Sequence, residues 1–420
     1  MATQFVRTFD KSVFKKTLDL VALRIPSRDC EKFRDHLKAF LLQKPRIKPI
    51  TKDDSDNSKR LIIMNESITD TSLSQLPDAL SSWVKDQKDV SVVMHPVVLD
   101  YDYFTATEVL TRLLPKGSEI PSSFEQVGHL IHLNIREDLL PYKYIIGQVL
   151  LDKVPSCKTV VNKVGKIDTV FRTFDMEVLA GEDNTVVSLK EEDCIFKFDY
   201  RKVYWNSRLQ FEHTRLVNSF APSDIIADMF CGIGPFVLPA AKKGCIVYGN
   251  DLNPECYRYL NENLALNKLK KNVTTYNMDA RDFITKIAKE DKPITQIVMN
   301  LPVSAELFCD IFRTCFSVLV GGSYYSQEYS HPLPMVHCYM FSSSEDPLKD
   351  SVERIESVLK AKLDPSQTKT KLIRDVAPKK MMTLVSFKLT PDMIDHHGDK
   401  RRKVDASSSS VCYNKDGWRS

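Results

Sequence analysis

From about Val203 onward, short apolar runs recur at the spacing of strands separated by helices, which confines this half of the chain to an open, mostly parallel α/β sheet. Ile225 to Asp228 reads as the first strand, Cys245 to Tyr248 as the second and Val273 to Met278 as the third. Ile297 to Asn300, Val336 to Phe341 and Thr383 to Leu389 complete the set. Upstream, Tyr144 to Lys153 reads as a helix, followed by strand-like runs at Val160–Val161, Thr185 to Leu189 and Ile195 to Phe198. The expectation is a Rossmann-like α/β domain over 201–390 preceded by two smaller α+β domains, 1–97 and 98–200. The polar run 391–420 reads as a disordered tail.

Charge is distributed unevenly. The whole chain carries 59 Lys+Arg against 55 Asp+Glu, a net +4 that says little. The first sixty residues hold 15 basic and 8 acidic side chains, an excess that fits a polyanion-facing module. Ten cysteines form no CxxC pair, so no metal site is expected and the thiols read as reduced. No apolar run approaches the roughly 20 residues of a membrane span, so no membrane partner is expected.

The strongest local signal is Asp228-Met-Phe-Cys-Gly232-Ile-Gly234-Pro235-Phe236, a glycine turn between a strand and a helix. Its glycines let backbone approach a ligand closely, and Pro235 suits a first helical turn. Strand two ends at Asp251, placed to accept both hydroxyls of a ribose, and strand three at Asp279, able to accept an adenine amino hydrogen. Three successive strands thus carry ligand-type residues at one sheet edge. A dinucleotide would want a third glycine where Val237 stands. With Asp228 placed to meet an ammonium group, the pattern suits S-adenosylmethionine, so a methyltransferase domain of class I type is expected.

Strand four ends in Asn300-Leu301-Pro302-Val303. Methylation of exocyclic base amines ordinarily uses an aromatic residue where Val303 stands. Methylation at cytosine C5 needs a cysteine nucleophile in this loop, and Cys309 lies seven residues beyond Pro302. Both subclasses are disfavoured.

Together, DMFCGIGPF, Asn250-Asp251-Leu252-Asn253-Pro254 and Asn300-Leu301-Pro302-x-x-Ala305 resemble the eukaryotic and archaeal tRNA (guanine-37-N1)-methyltransferases. So do His132-Leu-Asn-Ile-Arg136-Glu137, Phe171-Arg172, Ala180 to Asn184, and Val203 to Glu212. The resemblance implies a methyl acceptor at N1 of the guanosine 3′ of the anticodon, a step tied to reading-frame maintenance and to wybutosine synthesis. It implies Glu212 as general base, Arg172 as the cation at guanine O6, and Pro302 with Asn300 shaping the base pocket. Cofactor contacts would fall on His213, Asp251, Leu252, Asp279, Ala280 and Asn300, beside the motif residues Asp228, Gly232 and Gly234, with Tyr204 and Arg208 buttressing the site. A monomer that grips both anticodon loop and elbow of tRNA is expected, with the basic first block at the elbow. The run Asp399 to Val404 (DKRRKV) fits a nuclear-import signal, so cytoplasmic and nuclear pools are expected, with a mitochondrial one open. Two alternatives stay open: an aminocarboxypropyltransferase of the wybutosine pathway, and a catalytically silent tRNA-binding module.

Overall fold

The computed structural model describes residues 5–121, 124–164, 175–315 and 331–394. The chain forms two compact units, Met1–Val164 with Met176–Asn184, and Gly165–Asp175 with Thr185–Ser420. The tail signal Asp399 to Val404 and Arg172 both lie outside the described residues.

In the first unit, β1 (Lys16–Pro26), β2 (Ile50–Lys52), β3 (Lys59–Ile63) and β4 (Ser91–Leu99) form a sheet in the order β2-β3-β1-β4. Alternate residues of β1 point to opposite faces, and both faces are covered. Val21, Leu23 and Ile25 pack with Phe33 and Leu37 of the helix Cys30–Leu37. Leu20 and Ala22 join a second core with Ile131, Ile145, Ile146 and Val160. Residues on either side of position 97 therefore share one core. The strands β5 (Glu125–Val127), β6 (Leu130–Leu133), β7 (Thr159–Val164) and β8 (Asp175–Gly181) form a further sheet in chain order. The helix Lys143–Lys153 buries Ile145, Ile146, Val149 and Leu150 beside it.

The second unit begins with the hairpin of β9 (Val186–Glu191) and β10 (Cys194–Asp199). Its two turn residues, Glu192 and Asp193, both adopt positive φ (48° and 56°), the geometry that matches strand twist. Asn263 and Asn267 of the helix Pro254–Leu266 and its cap bind the backbone of Lys197 and Ile195. These bonds anchor the hairpin to this unit, so β9 and β10 lie with the large sheet rather than with the middle stretch to which the sequence reading gave them.

That sheet comprises β11 (Ile225–Asp228), β12 (Ile246–Asn250), β13 (Val273–Tyr276), β14 (Gln296–Met299), β15 (Met335–Ser342), β16 (Thr368–Ala377) and β17 (Lys380–Lys388). The order is β13-β12-β11-β14-β15-β17-β16, with β17 antiparallel to both neighbours and β11 to β15 parallel. The expected α/β class and strand-by-strand reading are therefore found. The edge strand β16 was not anticipated. Its sequence, TKTKLIRDVA, leaves most side chains exposed, and lysines on an edge guard it against stray pairing. Chain order reverses across β11, with β12 on one side and β14 on the other, so a crevice opens at their carboxyl ends.

Candidate active site

Asp228 ends β11, fully buried, at this crevice. The Phe230 N–H donates to its Oδ1 at 3.2 Å, while Oδ2 has no hydrogen-bond partner among the described residues. Burial, with a smaller contribution from the charge of Asp251, pushes its pKa up to about 8. A carboxyl in that state is satisfied by a cation brought to it.

The loop after Asp228 turns through Gly232 (φ 54°) and Gly234 (φ 100°). A Cβ on Gly232 would meet open space, whereas one on Gly234 would lie 2.3 Å from Leu238 and 2.7 Å from Leu260. Gly232 thus leaves room beside the backbone, and Gly234 lets the following helix, Val237–Lys243, close on the sheet. Pro235 lies in the turn before that helix rather than in its first turn.

Asp251 secures the same loop. Gly232 N–H donates to Oδ2 at 2.8 Å and Asn253 N–H to Oδ1 at 2.9 Å. Burial nevertheless holds its pKa above the ordinary carboxylate value. The helix cap ahead of Pro254 is Asn253, and the Cys256 thiol also hydrogen-bonds the Asp251 carboxylate, which leaves it about one lone pair for a ligand. Asn250, behind it, ties Met229 and Met278 together and so links the three loops by hydrogen bonds.

Leu252 is exposed beside Asp251, and Ala280 is buried one residue beyond Asp279. Asp279 is exposed and caps the helix Ala280–Lys289 through the N–H of Arg281. Asn300 carries a buried Oδ1 with no hydrogen-bond partner among the described residues. Pro302 is buried, and its carbonyl accepts from the Phe341 N–H at 2.7 Å. An acid for a cationic head, an acid with a lone pair left for a ribose hydroxyl, and an orphaned amide oxygen fit S-adenosylmethionine at the ends of β11, β12 and β14.

Glu212 departs from the usual fate of a helical glutamate. It is 7% exposed in the helix Gln210–Ser219. Tyr339 donates to its Oε1 at 2.8 Å, Arg215 donates to both oxygens at 2.5 and 2.7 Å, and Lys371 reaches Oε2 at 3.4 Å. Burial opposes ionisation, but the Arg215 and Tyr339 hydrogen bonds outweigh it and hold the carboxyl below its ordinary value. Glu212 is a carboxylate at neutral pH.

His213 is 4% exposed, and its Nδ1–H donates to Glu191 of β9 at 2.8 Å. Its ring meets Phe236 edge-on at 4.8 Å, beside the glycine loop. Tyr204 and Arg208 are exposed. The Tyr204 hydroxyl accepts from the Asn206 side-chain amide at 3.3 Å. Cys309 is fully buried in the turn Ala305–Ile311, out of reach of a base, and Cys231 and Cys256 are buried in the core as their type suggests. Sequence reasoning missed Arg215, Tyr339, Lys371 and Glu191. Of these only Arg215 had a local signal, three residues after Glu212 on one helix face.

Comparison with known proteins agrees with this geometry. Residues 186–322 match the TRM5/TYW2 methyltransferase domain, and residues 106–185 match the TYW2 N-terminal domain. A tRNA (guanine(37)-N(1))-methyltransferase of Phytophthora infestans is 44% identical over 96% of this chain and 98% of that protein. The Schizosaccharomyces pombe enzyme of the same name is 39% identical over 93% of this chain and 95% of its own length. Trm5b of Pyrococcus abyssi has the same fold, with a TM-score of 0.59 at 24% identity over 88% of this chain and 99% of that one. The fold is thus that of a methyltransferase with S-adenosylmethionine as its cofactor. The chain belongs to the tRNA (guanine(37)-N1)-methyltransferase family.

Proposed function

We propose that this enzyme methylates N1 of guanosine 37 in tRNA, with Glu212 as the general base. N1 of guanine is protonated at neutral pH, so its lone pair is not available for attack until that proton leaves. When bound, S-adenosylmethionine supplies an electrophilic methyl group, whose bond to sulfur breaks with the electron pair returning to sulfur. Glu212 takes the N1 proton as the new N–C bond forms. A carboxylate of low basicity suffices, because N1–H becomes strongly acidic once N1 begins to bond carbon. Negative charge held on O6 meets a cation, the role given to Arg172. Asp228 holds the ammonium of the cofactor, Asp251 its ribose, Asn300 and Pro302 the edge of the base pocket, and His213 the loop side.

The observation that carries this reading is the buried, ionised Glu212, in the helix whose next residue, His213, meets Phe236 of the glycine loop. The target nucleotide must be splayed out of its stack to reach it. A structure of this fold, aTrm5, was solved with tRNALeu. The basic first sixty residues support a grip on the tRNA elbow by a single protein chain, and affinity through such contacts falls steeply with salt. The run Asp399 to Val404 supports a nuclear pool beside the cytoplasmic one. The test is Glu212→Gln under single-turnover conditions. The rate drops by about 10²- to 10⁴-fold with cofactor affinity unchanged. An unchanged rate rejects Glu212 as the base.

A further inference from the structure

The four contacts on Glu212 are unequal. Oε1 takes the Tyr339 hydroxyl at 2.8 Å and Arg215 Nη2 at 2.5 Å. Oε2 takes Arg215 Nε at 2.7 Å and, beyond good hydrogen-bonding distance, Lys371 Nζ at 3.4 Å. A carboxylate has about four lone-pair sites, so a proton can arrive only where a donor yields. Three of the donors are tightly placed. The fourth, Lys371, sits on the edge strand β16 with its side chain 46% exposed.

Tyr339 is built to stay. It stands in the middle of β15, fully buried, with its ring 6.0 Å from that of Phe236 and nearly parallel to it. Its phenol remains a donor throughout the working range, because burial and the neighbouring Glu212 charge raise its pKa well above the ordinary value. Two residues earlier on the same strand face lies His337, held neutral by burial, with Arg215, Asp224 and Glu212 as the charged groups facing it. Among the described residues no other carboxyl is hydrogen-bonded to Arg215 or Tyr339.

We propose that Tyr339, together with Arg215, is a positioning residue for proton transfer: it pins Oε1 and the carboxylate plane so that Oε2, on the Lys371 side, receives the guanine N1 proton. The inference rests on Glu212 being the base. A carboxylate free to rotate would present its lone pairs at random, and small misplacements of a reacting group carry large rate penalties. Tyr339 fixes Oε1 from the sheet side with a neutral donor, while Arg215 spans both oxygens and sets the carboxylate plane.

Tyr339→Phe tests this while keeping the ring. Single-turnover methylation is followed from about pH 3 to 8 at saturating tRNA with the cofactor concentration varied, using Glu212→Gln as the reference. The Glu212 carboxyl is titrated in the cofactor-free enzyme by ¹³C NMR and assigned by its loss in Glu212→Gln. Removing a donor from an ionised carboxylate raises its pKa. The Glu212 titration and the acid limb of the rate profile both move up by about one pH unit, and the neutral-pH rate falls roughly tenfold with cofactor KM unchanged. Lys371→Met moves the Glu212 titration by less than Tyr339→Phe does. Should Tyr339→Phe fail to fold, Arg215→Gln gives the same upward direction.

An unmoved titration and rate in Tyr339→Phe, with Glu212→Gln impaired, overturns the positioning role alone. A larger shift in Lys371→Met than in Tyr339→Phe overturns the assignment of Oε2. A fully active Glu212→Gln removes the base reading itself, and this inference with it.

Discussion

Asp228→Asn should stabilise the cofactor-free enzyme at alkaline pH while weakening cofactor binding. The substitution keeps the shape of the side chain and an oxygen for the Phe230 N–H. Asp228 titrates at about 8 in the folded protein against an ordinary 3.8. Below pH 3.8 both states hold the proton and nothing is lost. Above it the unfolded chain ionises first, so native stability falls continuously until the folded carboxyl also ionises near pH 8. At 1.36 kcal/mol per pKa unit, the loss is about 5 kcal/mol by pH 8, of which about 4 kcal/mol accrues between pH 5 and 8. Asparagine has no such dependence. In thermal unfolding without cofactor, the wild type should therefore lose roughly 8–16 °C relative to the variant across that pH range. Calorimetric titration at pH 8 should show S-adenosylmethionine binding the variant about tenfold to a hundredfold more weakly, since a charged hydrogen-bond partner of its ammonium is gone. Parallel unfolding curves at pH 5 and pH 8 would refute the raised pKa. Undiminished binding would refute the ammonium contact.

Other substitutions probe the supporting structure. Gly234→Ala forces a Cβ to 2.3 Å from Leu238 at φ 100°, and should lower stability by about 2–4 kcal/mol in urea unfolding. Asp251→Asn turns an amide N–H₂ against one of two backbone donors, Gly232 or Asn253, and should weaken cofactor binding by about tenfold or more in calorimetry. His337 titrates at about 4 when folded against 6.5 unfolded, so its contribution is complete above pH 6.5 and is lost as pH falls towards 4. His337→Gln should flatten the stability profile over that interval by about 3 kcal/mol, measured by denaturant unfolding at several pH values.

The sheet was legible because its strands are short apolar runs with function-bearing residues at their carboxyl ends. Ile225 to Asp228 and Ile297 to Asn300 announce themselves by pattern, and Asp228, Asp251 and Asn300 follow from where those strands stop. The edge strand β16 was not, since its mostly exposed residues, Lys369 and Lys371 among them, give it no apolar period. The surroundings of Glu212 were the least legible part. Tyr339 lies 127 residues away and Lys371 159, so their approach depends on the order of strands β15, β17 and β16 and leaves no trace in local sequence. The pairing of His213 with Glu191 likewise needs the β9–β10 hairpin to fold back on this helix. Glu212 itself was found by motif alone, since a lone helical glutamate gives no local sign that it will be buried.

The most direct measurement is of the product. The enzyme is incubated with labelled S-adenosylmethionine and an unmodified tRNA transcript carrying guanosine at position 37, and the tRNA is digested to nucleosides. Label should appear in N1-methylguanosine, and should vanish when position 37 is replaced. Label in an aminocarboxypropyl nucleoside, in a methylated base elsewhere, or in no nucleoside while the protein is folded would contradict methyl transfer to guanine N1.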